Sequence, residues 1–302
     1  MSARATGVGN IRVIVNGAAG GGRGSARLAP HLDRLRDAGA LEIRETTGPG
    51  HATALAREAA AAGSTAVVAA GGDGTLFEVV NGLLPKDGGG PALGIVPVGT
   101  GNSFVRDVGL ADPAVAIEAI VAGKTRLVDA MLLEDDDRVL YAINLVSLGF
   151  SATVGSLVNR RLKPLGVPGY ALAVFATLAS LRPFRLGFML DEHPAEQRDV
   201  TLIAFCNSRY TGGNMMMAPA ADPTDSWLDV VTIAPVTRLR LLRAFPHIFR
   251  GTHVQLPEVT TDRARRVSFA PMGMVDVIAD GEVLGLELRS LEVLPGALEL
   301  LA

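Results

Sequence analysis

The chain of 302 residues holds a single cysteine, Cys206, so an intramolecular disulfide is impossible and a reducing compartment is the simpler expectation. No stretch reaches the roughly 18 uninterrupted apolar residues of a spanning helix. Residues 1–10 are small and polar, without the apolar core of a secretory signal. The expected location is the cytoplasm, with peripheral attachment to the inner face of the membrane left open. Net charge is small too. A formal −3 gives no general electrostatic reason to bind nucleic acid, and no such partner is expected. His51, His193, His247 and His253 lack metal-ligand spacing and read as surface or structural residues. Disorder is excluded by 48% hydrophobic against 20% charged residues, and the length suits one large domain or two ordinary ones.

What the chain does have is glycine placed directly after apolar runs. Residues 66–70 read as a buried strand, Gly71-Gly72-Asp73-Gly74-Thr75 as a corner, and residues 76–84 as the helix that follows. Glycines let a backbone approach phosphates, and a helix start offers unsatisfied N–H donors to their oxygens. Asp73 is the awkward member, because an acid among phosphates needs a bridging metal or chemical work. Two more glycine loops follow apolar runs: residues 16–24 after 11–15, and residues 97–102 after 92–96. The first lacks the Gly-Lys-Ser/Thr of a P-loop and the spacing of a dinucleotide fingerprint. Any one of the three could be a plain turn. Three at equivalent strand ends point to a nucleotide site, since such loops converge on one sheet edge.

The first 130 residues alternate strand and helix: strands at 11–15, 41–45, 66–70 and 92–96, helices carrying Leu28, Leu32 and Leu35, then at 52–62, 76–84 and 112–121. Gly39 reads as the stop of the first helix. The alternation predicts a parallel sheet covered by helices. After about Asp129 strands dominate, at 139–148, 184–190, 199–206, 228–233 and 265–270, with helices near 169–181 and 238–250, the latter interrupted by Pro246. The expected organisation is an α/β domain over 1–129, a β-rich domain over 130–290, and a tail 291–302 that ends the second domain or returns to the first.

Gly71-Gly72-Asp73-Gly74-Thr75 followed by Glu78-Val79-Val80-Asn81-Gly82-Leu83 resembles the signature of the diacylglycerol kinase catalytic-domain family, which includes bacterial lipid kinases, sphingosine kinases and ceramide kinases. Pro97 to Phe104 with Arg106 resembles the family's second nucleotide loop, and Asp280-Gly281-Glu282 its Asp-Gly-Glu element. The loop at Asn16 stands at the family's Asn-Pro motif, with Gly17 in place of proline. NAD kinases and phosphofructokinases share the Gly-Gly-Asp-Gly-Thr pattern, but the Gly99 loop, residues 207–213 and Asp280-Gly281-Glu282 favour the lipid-kinase branch.

The resemblance implies a Rossmann-like nucleotide-binding α/β domain, a β-sandwich-like C-terminal domain and an active site in the cleft between them. It further implies ATP and Mg2+ as cofactors. Asn16, Thr46, Gly71, Gly72, Asp73, Gly74, Thr75, Gly99, Thr100, Asn102 and Asp280 are then the nucleotide-binding residues. The γ-phosphate would pass to a lipid hydroxyl, with positioning and charge neutralisation dominating. Glu282 is the expected proton acceptor and Asp73 its partner or metal organiser, the order between them left open. Asp222, Asp225 and Trp227 lie in a stretch that resembles a non-catalytic magnesium site of some bacterial relatives; an acidic turn with Asx-type bonds reads equally well, and Ser226 replaces the glycine common there.

Several features bear on the acceptor. Sphingosine kinases place an acid shortly after a Gly-Phe pair, whereas Gly149-Phe150 is followed by Ser151, Ala152, Thr153, Val154 and Gly155. A buried ammonium without a partner is costly, which leaves a neutral lipid alcohol, diacylglycerol by default, giving phosphatidic acid. Residues 165–181 read as an acyl pocket or equally as a core helix. Residues 230–257 hold no acid but place Arg238, Arg240, Arg243 and Arg250 among leucines and phenylalanines, which suits an anionic membrane surface or an ordinary amphipathic helix. The expected partner is a lipid substrate at a membrane surface, with a homodimer left open. The rivals are a kinase of a different alcohol (another lipid, a polyol or NAD) and a nucleotide-binding regulatory protein without turnover.

Overall fold

A computed structural model of the chain describes residues 9–84, 90–150 and 182–302. The helix expected at 169–181, the apolar stretch 165–181 and residues 151–155 lie outside the described residues. The chain divides into two compact units, Met1–Val128 with Gly296–Ala302, and Asp129–Pro295.

In the first unit, β1 (Gly9–Val15), β2 (Gly39–Glu45), β3 (Ala66–Gly71) and β4 (Ala92–Pro97) form a parallel sheet in the order β2-β1-β3-β4. Every residue of β3 and β4 is buried, as expected of parallel strands covered on both faces. Fully buried Ile11, Ile14 and Leu93 each contribute about 1.5–3 kcal/mol by leaving water. Helix His51–Ala61 buries Ala52, Leu55, Ala56 and Ala59, one face at helical spacing. It packs on helix Asp73–Leu83, which approaches so closely at Gly82 that a Cβ there would lie 2.4 Å from the Thr53 carbonyl oxygen. Helix Pro113–Ala122 is capped at both ends: Asp112 accepts the Ala114 N–H at 2.8 Å, and Gly123 closes it in the left-handed region.

Gly39 does not end a helix. The helix Leu32–Arg36 has already stopped, and Gly39 opens β2, where a Cβ would lie 2.1 Å from the Gly9 carbonyl oxygen. The need is close approach to β1, which composition does not distinguish from a helix stop.

The second unit contains a wholly antiparallel six-stranded sheet, in the order Val259–Ala264, Leu228–Ile233, Leu202–Cys206, Leu145–Gly149, Val275–Ala279 and Glu282–Leu286. A second antiparallel set joins Glu196–Val200, Phe184–Leu190, Arg266–Phe269 and the first half of Ser290–Leu301. The far end of that last strand pairs Leu300 with Leu93 of β4 in parallel.

Two expected strands are each divided. Residues 199–206 split at buried Thr201, whose Oγ1 donates to the Ala234 carbonyl while the chain passes from one sheet to the other. Residues 139–148 split at Ile143-Asn144, and the break is held from both sides. The Asp280 carboxylate accepts the N–H groups of Ile143, Asn144 and Leu145 at 2.8–3.0 Å. Asn207 Nδ2 donates to the Ile143 carbonyl at 2.8 Å, and the Asn207 and Ser208 N–H groups donate to that of Asn144. The expected helix at 238–250 is α-helical over Arg238–Ala244 and tightens to 3-10 over Phe245–Arg250, where Pro246 cannot supply the N–H of a continuing α-helix.

Candidate active site

The first unit's loops sit where a parallel sheet gathers them. Thr46 follows β2, Asn16 follows β1, Gly72 follows β3 and Val98 follows β4, all at carboxyl ends of neighbouring strands. Strands stand about 4.8 Å apart, so these four stations span roughly 14 Å of one edge. Hydrogen bonds tie them together. Asn16 Nδ2 donates to Thr75 Oγ1 at 3.0 Å, Thr46 N–H to the Val15 carbonyl at 2.9 Å, and Val98 and Gly99 N–H to the Gly71 carbonyl.

Glycine is required here by proximity. A Cβ on Gly99 would lie 2.3 Å from Gly72 Cα, so the two loop backbones touch. A Cβ on Gly71 would lie 2.3 Å from Thr75 Cβ. Helix Asp73–Leu83 begins at this contact with no side chain capping it, leaving its first-turn N–H groups for another acceptor. The sheet edge thus offers backbone donors, close approach and a helix start, the features that fit a nucleotide's phosphates.

Asp73 stands at this helix start, half-buried. One oxygen accepts the Ser103 N–H at 2.8 Å, and the Asn102 and Phe104 N–H groups are also directed at it. Burial raises its carboxyl above the ordinary range, and those N–H donors pull the other way without cancelling it. Asn102 adopts the left-handed conformation (φ 53°) and its Nδ2 donates to the Gly99 carbonyl at 3.1 Å. Thr100 is exposed at the tip of the same loop. A magnesium ion shared with phosphates takes one or two carboxylates from a protein, and Asp73 fits that role. Among the described residues no group of three or more His, Cys, Asp or Glu side chains forms a dedicated cage.

In the second unit, Asp280 and Gly281 are the two central residues of a hairpin turn with φ 49° and 92°, the type I′ geometry that Asp-Gly favours. Glu282 starts the next strand, half-buried, opposite Ala279. Asp280 is buried, with its carboxylate given over to the three N–H groups of the strand break, so it acts on the protein's own backbone. The sequence pattern showed the Asp-Gly-Glu order but not this engagement.

Asp222, Asp225 and Trp227 form an acidic turn. Asp222 accepts the Thr224 N–H and hydroxyl at 3.0 and 2.7 Å, and Asp225 accepts the Trp227 N–H at 3.1 Å. The other Asp225 oxygen meets the Arg263 guanidinium at 2.7 Å, while Arg265 lies over the Trp227 ring at 4.5 Å. Ser226 sits at φ 64°, which explains why glycine suits the position, and its N–H donates to Asp129 at 2.7 Å. As arranged, these are Asx-type bonds completed by a guanidinium. Arg263 and Asp129 carried no signal in the sequence, being 38 and 97 residues from their partners.

Other side chains missed in the sequence support the nucleotide edge. Glu78 accepts the Gly50 and Ala52 N–H groups at 2.8 and 2.9 Å, capping the helix beyond Thr46. Arg27 reaches the Val98 and Gly99 carbonyls. Elsewhere, His253 is buried with Nε2 on the Met217 carbonyl at 2.9 Å, and Cys206 is buried with its thiol pushed far up by desolvation, so it is inert. The second unit also holds an apolar cavity of about 60 Å3 lined by Ile233, Val236, Leu241, Phe245, Ile248 and Val259, among others.

The class these features define is a two-domain protein with an α/β nucleotide-binding domain and a β-sandwich-like domain of antiparallel sheets. The model of the diacylglycerol kinase catalytic domain matches residues 10–133, and that of the YegS C-terminal NAD kinase beta sandwich-like domain matches residues 144–302. The chain is 34% identical over 300 residues to a diacylglycerol kinase of Mycobacterium tuberculosis (strain ATCC 25618 / H37Rv), covering 97% of this chain and 95% of the relative. It is 30% identical over 279 residues to a diacylglycerol kinase of Bacillus subtilis (strain 168), covering 91% and 90%. A solved structure of a candidate diacylglycerol kinase from Bacillus anthracis str. Sterne shares the fold, with TM-score 0.78, 24% identity and coverage of 97% and 96%. The chain belongs to the diacylglycerol kinase catalytic-domain family, with a YegS-type C-terminal domain.

Proposed function

We propose that this protein is an ATP-dependent lipid kinase that transfers the γ-phosphate to the hydroxyl of a neutral lipid, diacylglycerol in the simplest case, giving phosphatidic acid for phospholipid synthesis. The observation that carries the reading is the sheet edge at Asn16, Thr46, Gly71–Thr75 and Gly99–Asn102 in a chain of this family. Backbone N–H groups of the helix start and the Gly99 loop would hold the triphosphate oxygens. Magnesium, when bound with the nucleotide, would supply charge neutralisation, with Asp73 as its protein ligand. The anchoring of Asp73 by the Ser103 N–H supports an organising role, which leaves Glu282 to accept the proton of the lipid hydroxyl.

Leu239 is 55% exposed on helix Arg238–Ala244 near exposed Arg243, and Arg250 is exposed further on, a composition that suits docking on an anionic membrane surface. Arg240 is instead paired with Glu258 at 2.7 Å. Among the described residues no helix is long and apolar enough to cross a membrane. The test is Glu282→Gln. Lipid phosphorylation should fall by at least a hundredfold while nucleotide affinity stays within a few-fold; unchanged turnover would remove Glu282 from the chemistry.

A further inference from the structure

Arg27 lies 71 residues from the loop it touches and outside every motif in the sequence. Its Nη1 donates to the Val98 carbonyl at 2.9 Å and the Gly99 carbonyl at 3.3 Å. The guanidinium passes over Gly20, where a Cβ would lie 2.5 Å from Nη1 and 2.6 Å from the Val98 oxygen. One side chain therefore joins the loop after β1 to the loop after β4.

The consequence lies in the Gly99–Thr100 peptide. Its carbonyl accepts from Arg27 Nη1 on one side and from Asn102 Nδ2 on the other. In a trans peptide the N–H points opposite to the C=O. Fixing the Gly99 oxygen thus fixes the direction of the Thr100 N–H, which has no acceptor among the described residues. The neighbouring Val98 and Gly99 N–H groups are both spent on the Gly71 carbonyl, so Thr100 is the first amide of this loop left to a ligand.

We infer that Arg27 is a positioning residue of the nucleotide site, orienting the Thr100 N–H toward a phosphate oxygen of the bound nucleoside triphosphate. This rests on the nucleotide-site reading above. Charged hydrogen bonds to backbone carbonyls are worth enough that their loss should weaken nucleotide binding about 10-fold. Lysine can donate to the same carbonyls as a point charge and should recover part of it.

The experiment titrates wild type, Arg27→Met and Arg27→Lys with a fluorescent ATP analogue without lipid, and measures KM for ATP, kcat and thermal midpoint of each. Arg27→Met should raise the dissociation constant and KM about 10-fold with a smaller change in kcat. Arg27→Lys should fall between, and millimolar methylguanidinium should partly restore Arg27→Met. Unchanged affinity in Arg27→Met overturns the inference. So does a loss that tracks a fall in thermal midpoint and resists both rescues, which assigns Arg27 to the fold alone. Should Arg27→Met fail to fold, Arg27→Lys decides: affinity equal to wild type with KM unchanged overturns the inference, and a few-fold rise in both supports it. A wild type that binds no nucleotide overturns the underlying reading instead.

Discussion

Gly99→Ala probes the contact on which the nucleotide edge is built. The added carbon would stand 2.3 Å from Gly72 Cα, 2.8 Å from Gly72 N and 2.9 Å from Asn102 Oδ1. Ordinary contact begins near 3.4 Å, so the loops must part by about 1.1 Å. Both near neighbours are backbone, and the Gly72 side is held by the start of helix Asp73–Leu83, so neither yields as a flexible side chain would. Overpacking of this kind costs about 1–3 kcal/mol, or a thermal midpoint about 2–8 °C lower. A misplacement of about 1 Å among reacting groups costs about 100-fold in rate. The assay is kcat/KM for ATP with thermal unfolding alongside. Gly285→Ala serves for comparison, since its added carbon meets only the flexible Met274 side chain, with the sulfur at 3.4 Å and Cγ at 3.8 Å. Gly99→Ala with kcat/KM within threefold of wild type and an unmoved midpoint would refute the claim that these loops touch to form the site.

Three further outcomes follow from the geometry. Asp280→Ala strands three buried N–H groups and should cost roughly 3 kcal/mol or more, read as a lower urea midpoint, whereas Asp280→Asn keeps one acceptor and should cost less. Asp73 has its folded pKa raised above the unfolded value, chiefly by burial, so its stabilising contribution is complete below about pH 3.9 and is lost as pH rises through the folded value. Asp73→Asn should raise the thermal midpoint at pH 7 while abolishing transfer, with the gain fading toward pH 4, and a lower midpoint at pH 7 would contradict this. His253 has its folded pKa lowered by burial, so its contribution is present above about pH 6.5 and lost as pH falls through the folded value. Urea midpoints should decline between pH 7 and pH 5, and His253→Asn should flatten that decline.

How much was legible depended on whether the signal was local. The central strands β3 and β4 announced themselves as continuous apolar runs, because burial on both faces demands it, and the glycine corner was visible because phosphate approach and helix start are sequence-adjacent requirements. The Asp-Gly-Glu order encodes its own type I′ turn. Interactions set by the tertiary fold were silent: Arg27 on Val98, Glu78 on Gly50 and Asp280 on the 143–145 break depend on residues 28 to 137 positions away. The divided strands were misread for the same reason. A nearly continuous apolar run extends straight through residues 139–148, and the distant Asp280 and Asn207 interrupt its ladder. Gly39 shows the converse, since a glycine placed for close approach to Gly9 looks like one placed to end a helix.

The central claim is phosphate transfer from ATP to a neutral lipid hydroxyl. Purified protein incubated with γ-labelled ATP, magnesium and diacylglycerol in mixed micelles tests it directly. The account predicts label in the organic phase, migrating as phosphatidic acid and depending on both Asp73 and Glu282. Label confined to a water-soluble product, or nucleotide bound with no transfer to any alcohol, would contradict it.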